Sequence, residues 1–184
     1  MADTCYMFFA TGFEEVEALS VVDLLRRDNI DIKMVSVTGK KEVTSSHNVT
    51  IVMDMLLEEV SLDNARMLIM PGGMPGVSNL KACTRLNEMI VEFNKNNGLL
   101  AAICAGPTVY GELGILEGKN AVCYPGCENG LLGAKVNTCE VITDGNITTS
   151  RGMGTAIEFG LKLVEILDSK EKSDELRKKI VYRQ

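Results

Sequence analysis

The fold turns on the stretch Leu99-Leu100-Ala101-Ala102-Ile103-Cys104-Ala105-Gly106-Pro107. Five uninterrupted apolar residues read as a central parallel strand, buried on both faces. The strand runs straight into a cysteine, and small residues follow at once. Gly106 and Pro107 delay the helix expected over residues 105–113. A nucleophile elbow needs this arrangement, because the backbone must fold back sharply beside the reactive side chain. In that reading the thiol lies near a helix N-terminus, whose positive end is expected to lower its pKa. The competing reading is an inert core cysteine.

Working outward, short apolar runs alternate with helix-period stretches, the pattern of a parallel sheet with crossover helices. Residues 5–10 form an apolar run that ends at Thr11-Gly12. Residues 14–27 read as a helix with Ala18, Val21, Val22 and Leu25 on one stripe. Leu19 and Leu24 fall outside that stripe, so this helix is either deeply buried or faces a partner. Strands are expected at residues 31–37, 49–53 and 67–70, then again at 121–123, 141–142 and 147–149. Leu86, Met89, Ile90 and Phe93 give helical spacing over residues 86–96. Residues 155–167 read as a strong helix opened by a capping box, Thr155 with Glu158. Residues 170–179 form a charged last helix or tail. No repeat, linker or low-complexity tract interrupts the pattern, and 184 residues suit one α/β domain over 1–184.

Composition narrows the function. Apolar residues make up 46%, enough for a core and too many for disorder. Nineteen Lys and Arg against 25 Asp and Glu leave a net charge of −6. An acidic surface repels phosphate backbones, so no nucleic-acid partner is expected. The longest uncharged run, residues 96–111, contains Gly and Pro and is too short to span a bilayer, so no membrane partner is expected. Met1-Ala-Asp-Thr lacks the features of a signal peptide, which points to the cytoplasm. The six cysteines read as free thiols in such a chain. Cys123, Cys127 and Cys139 lack zinc-site spacing and the single histidine, His47, is far off in sequence, so no metal is expected.

Three further loops follow strands and should reach the same edge of the sheet, where open α/β sheets bind ligands. Pro71-Gly72-Gly73 lets backbone N–H groups approach an oxyanion, or is an ordinary glycine turn. In Gly12-Phe-Glu-Glu-Val-Glu17, acidic residues of a first helical turn complement the helix dipole. Glu17, read as lying beyond that turn, is placed to share a proton with a thiol. Ser150-Arg-Gly-Met-Gly-Thr155 carries a G-x-G, but Ile157 stands where a dinucleotide fingerprint needs its third Gly, so NAD is not expected.

Taken together these blocks resemble the ThiJ/PfpI superfamily, in its DJ-type branch. The match runs through Gly12-Phe-Glu-Glu-Val-Glu-Ala18, Val22-Asp-Leu-Leu-Arg-Arg27, Ile69-Met-Pro-Gly-Gly73, Ala101-Ala-Ile-Cys-Ala-Gly-Pro107 and Thr149-Ser-Arg-Gly-Met-Gly-Thr155 before Glu158-Phe159. Their order and spacing carry the resemblance, which covers nearly the whole chain. It implies a flavodoxin-like three-layer sandwich with a mostly parallel central sheet, and a homodimer in which the off-stripe residues of the first helix make contact. It implies Cys104 as nucleophile, Glu17 as a protonated acid hydrogen-bonded to its sulfur, and the amides of Gly73 and Ala105 as an oxyanion hole, with Gly72 alongside. Several members place a His near the Cys; here the matching segment is Cys123-Tyr124-Pro125, so Tyr124 takes its place. His47 lies in a segment that in the family approaches the neighbouring subunit's site, although it also reads as an exposed loop residue. Ala105 stands where the protease and amidotransferase branches carry His, so peptidase or glutaminase chemistry lacks its base.

Two functions fit these residues. The first is a cofactor-free enzyme acting on methylglyoxal, glyoxal or glycated adducts through a hemithioacetal at Cys104, as in glutathione-independent glyoxalase and deglycase chemistry. The second is an oxidative-stress sensor or redox-regulated chaperone acting through a Cys104 sulfinate.

Overall fold

The computed structural model describes residues 4–183. Residues 1–3, on which the signal-peptide reading rests, and residue 184 lie outside them. In chain order the elements are β1 (Thr4–Phe9), α1 (Glu15–Arg27), β2 (Asp31–Ser36), β3 (Glu42–Thr44), β4 (Thr50–Val52), β5 (Met55–Leu56), β6 (Ala65–Met70), α2 (Gly76–Ala82), α3 (Thr84–Lys95), β7 (Leu99–Ile103), α4 (Pro107–Glu112), β8 (Asn120–Ala121), β9 (Lys135–Val136), β10 (Val141–Asp144), β11 (Ile147–Ser150), α5 (Ala156–Leu167) and α6 (Lys170–Lys179). Seven strands form the main sheet in the order β10-β11-β7-β6-β1-β2-β5. Every pair in it is parallel except the β10–β11 hairpin.

The two-residue period of β1 divides the core. Cys5, Met7 and Phe9 pack with α1, α5 and α6, while Tyr6 and Phe8 pack with α2, α3 and α4. The result is the expected α/β/α sandwich. Central β7 is flanked by β6 and β11, and its residues from Leu100 to Ile103 are fully buried. The carboxyl ends of β1, β6, β7 and β11 therefore gather at one edge, where Cys104 follows β7.

The sheet also corrects several expectations. The strand at 49–53 is β4, which pairs with β3 in a separate hairpin rather than in the main sheet. Likewise β8 joins β9 outside it. Neither β3, β5, β9 nor α2 stands out in the sequence, because each is short and lacks a run of core residues. Leu24 does not face a partner: it is buried against α5, where Gly160 leaves room for its side chain. Leu19 is half-buried on the same core. Thr155 does not cap α5 through its side chain. Its Oγ1 turns back to the Gly152 carbonyl at 2.9 Å and to Ser150 Oγ at 2.7 Å. Glu158 instead holds Arg177 of α6 in a two-bonded ion pair.

The α1/α5 layer should be sensitive to cavities. Phe159 is fully buried there, so Phe159→Ala is expected to lower stability by about 3–5 kcal/mol in denaturant unfolding. A loss under about 1 kcal/mol would contradict this packing.

Candidate active site

Cys104 has a φ of +65°, a left-handed conformation that costs a non-glycine residue about 1–2 kcal/mol. The neighbouring main chain holds it there. Its N–H donates to the Ser150 carbonyl at the end of β11 at 2.9 Å, and its own carbonyl accepts from Tyr124 N–H at 2.8 Å. Gly106 N–H folds back to the Ile103 carbonyl at 2.9 Å. A Cβ at Gly106 would lie 2.8 Å from that oxygen and 2.9 Å from the Pro71 carbonyl. The sharp turn and the small residue after it are thus one requirement, and the elbow geometry is present.

The facing loops interlock through backbone. Glu14 N–H donates to the Gly72 carbonyl at 2.9 Å, and Gly76 N–H to the Gly12 carbonyl at 3.1 Å. A Cβ on Gly72 would sit 2.4 Å from both Cys104 Cβ and Glu17 Oε2. Gly72 is therefore the floor on which thiol and carboxyl meet. Its N–H donates to Glu17 Oε2 at 3.0 Å.

Glu17 is 1% exposed and is the third residue of α1, inside the first turn rather than beyond it. Its own N–H is capped by the Glu14 carboxylate at 2.6 Å. Burial pushes the Glu17 carboxyl up to about 7; its contacts with Cys104 and with the amides of Gly72 and Met153 act the other way. Burial and the charge and hydrogen bond of Glu17 push the Cys104 thiol up to about 12, while the amides of Ala105 and Gly73 pull it down. The expectation that a helix N-terminus lowers this pKa is overturned. Helix α4 starts only at Pro107 and spans six residues, and burial and the Glu17 carboxylate push the thiol up. The two groups titrate as a pair. While Glu17 keeps its proton its repulsion is absent, so thiolate formation faces burial alone, against two amides.

A cleft of about 710 Å³ opens over this pair and is also lined by Glu14, His47, Gly73, Tyr124, Pro125, Glu140, Arg151 and Met153. The sequence-predicted residues Cys104, Glu17, Gly72, Gly73, Ala105, Tyr124 and His47 thus converge. Tyr124 is 51% exposed and lies against Gly152. His47 lies at the mouth of its own chain's cleft, and its Nδ1 is 3.1 Å from the Glu15 carboxylate, which raises its pKa. Sequence reasoning missed the Met153 amide, the Glu14 cap and the Ser150 carbonyl. The G-x-G after β11 is the signal that could have drawn attention to that loop. Among the described residues, the one grouping of three side chains able to share a metal is Glu14, Glu15 and His47, each already engaged as described.

A family model described as the DJ-1/PfpI family matches residues 3–166. The chain is 35% identical to protein dj-1beta of Drosophila melanogaster over 180 residues, covering 97% of this chain and 96% of that protein. It is 34% identical to glutathione-independent glyoxalase DJR-1.2 of Caenorhabditis elegans, covering 90% and 88%. Protein DJ-1 homolog B of Arabidopsis thaliana is 39% identical over 176 residues, and the chain spans only 40% of its length. The structure of oxidized Toxoplasma gondii DJ-1 superposes with a TM-score of 0.94 at 32% identity, covering 100% of both chains.

Two outcomes test this geometry. The folded chain keeps the Glu17 proton to about 7, whereas an unfolded carboxyl releases it near 4.5. The stability contributed by protonated Glu17 is therefore complete below pH 4.5 and lost as pH rises through 7. From pH 4.5 to above 7, Glu17→Gln is expected to gain on the wild type by at most about 3 kcal/mol in denaturant unfolding; a pH-independent difference would refute the raised pKa. Gly72→Ala should force Glu17 and Cys104 apart, costing about 1–3 kcal/mol and removing the influence of Glu17 on the pH profile of Cys104 alkylation.

Proposed function

The chain belongs to the DJ-1/PfpI family, and from that premise we propose that it is a cysteine-dependent enzyme that converts small reactive aldehydes such as methylglyoxal, or glycated adducts, to 2-hydroxy acids without glutathione. One observation carries this reading: Cys104 meets at Gly72 a buried carboxyl pushed up to about 7, while the amides of Ala105 and Gly73 favour its thiolate. A proton acceptor and donor poised near neutrality is what general acid–base catalysis requires.

In the proposed reaction the Cys104 thiolate adds to the aldehyde carbon of methylglyoxal. The new C–S bond leaves an alkoxide, which the amides of Gly73 and Ala105 stabilise. Glu17 gives its proton to that alkoxide and, now ionised, takes the proton from the same carbon and returns it to the adjacent one through an enediol. The product is a lactoyl thioester on Cys104. Water hydrolyses it to lactate and restores the thiol, so methylglyoxal plus water gives lactate. His47 and Tyr124 line the cleft, where an entering substrate would meet them. The chemistry as proposed calls for no metal or organic cofactor.

A second reading rests on the same amides. Donors at the sulfur would also stabilise a sulfinate, which suits oxidation sensing. We propose a homodimer as well, because Val16, Val52 and Met153 are exposed apolar residues on elements bordering the cleft; light scattering on the purified protein tests it.

The deciding measurement is lactate formation from methylglyoxal without glutathione, with Cys104→Ser as comparison. Saturable lactate production by the wild type, absent in the variant, is expected. Folded, reduced wild type that forms no lactate would overturn the enzyme reading for this substrate and favour oxidation sensing. Lactate that persists in the variant would show that Cys104 is not the nucleophile.

A further inference from the structure

Cys123 precedes, and Cys127 ends, the turn that carries Tyr124 and Pro125 to the cleft, and nothing in the proposed reaction uses them. Pro125 and Gly126, the latter at φ +95°, occupy the central positions of this turn. Cys127 N–H closes it by donating to the Tyr124 carbonyl at 2.9 Å. Proline followed by a residue at positive φ makes it a type II turn, which brings Tyr124 and Cys127 within about 7 Å of each other. The same Tyr124 carbonyl accepts the thiol hydrogen of Cys123 at 3.4 Å. One oxygen atom thus joins the sulfur of Cys123 to the backbone of Cys127. Both cysteines also border the same apolar cluster beneath α4.

We propose that Cys123 and Cys127 form a reversible intramolecular disulfide, with a low-molecular-weight disulfide as oxidant. The shared Tyr124 carbonyl keeps the Cys123 sulfur close to the backbone of Cys127, as a disulfide between them requires. The two thiols have different roles. Cys127 is half-buried and reachable, whereas Cys123 is 4% exposed. Burial, the neighbouring Glu128 charge and Cys127 itself push the Cys123 thiol up to about 11, so it is not the first to react.

The steps balance. Cys127 thiolate attacks one sulfur of the external disulfide, forming a mixed disulfide and releasing the other half as thiolate. Cys123 gives up its proton and attacks the Cys127 sulfur, which expels the second half. Two protein thiols are oxidised and one external disulfide is reduced to two thiols. The bond would tie together both ends of the segment whose Tyr124 N–H holds the Cys104 carbonyl at 2.8 Å. The inference is independent of which reaction Cys104 performs.

Trypsin releases residues 120–135 as one peptide containing these two cysteines and no other. Full-length wild type and Cys104→Ser, each exposed to oxidised glutathione, alkylated and digested, should yield this peptide two hydrogens lighter and unalkylated. Prior reduction should restore two alkylation sites, and in Cys127→Ser the remaining Cys123 should stay alkylatable. Two alkylated cysteines after oxidation, stable glutathione adducts, or a link from either thiol to another cysteine would each overturn the proposal.

Discussion

The architecture of the site depends on the contact between Gly72, Cys104 and Glu17. Three strand-to-helix connections, after β1, β6 and β7, meet there with no space for a side chain on Gly72. The consequences spread outward. Gly12 and Gly73 must adopt positive φ so that the first two loops can interlock. The elbow must turn sharply, so Gly106 follows Ala105. Cys104 itself takes a strained conformation, which the carbonyl of Ser150 and the amide of Tyr124 hold in place. Strain of this kind persists only where surrounding bonds over-determine it.

That contact also sets the electrostatics. A carboxyl at N3 of a helix would ordinarily be ionised and solvated, complementing the dipole. Glu17 is instead pressed under the Gly72 loop, and burial raises its pKa to about 7. The Cys104 thiol shares this dry environment, and its ionisation depends on the state of its neighbour. Desolvation brings two groups of very different ordinary pKa into one coupled system. The amides of Gly73 and Ala105 act the other way and favour the thiolate.

Much of this was legible in the chain. The uninterrupted run Leu99–Ile103 identified a central strand because a strand covered on both faces needs no polar alternation. The small residues after Cys104 signalled the elbow because a backbone that folds back excludes side chains. Glu17 drew notice as a carboxylate near the start of the helix that follows β1, close to the same sheet edge. Not every short element was legible: β3 has three residues and takes its stability from pairing with β4. The capping pattern at Thr155 misled, because the Gly152 and Ser150 groups compete for its hydroxyl.

The resemblance implied the three layers and most of the residues at their edge, whereas the residue pattern by itself determined the alternation of strands and helices and the strand that carries Cys104. These follow from local periodicity and from where side chains are too small to obstruct a turn. Only the tertiary structure decided the proton distribution. Residues 17, 72 and 104 are far apart in the chain, and burial depends on what is packed around each from every side. A helix-end argument made the Cys104 thiol acidic, whereas the folded chain places it in a desolvated pocket beside a carboxylate, and both push its pKa up.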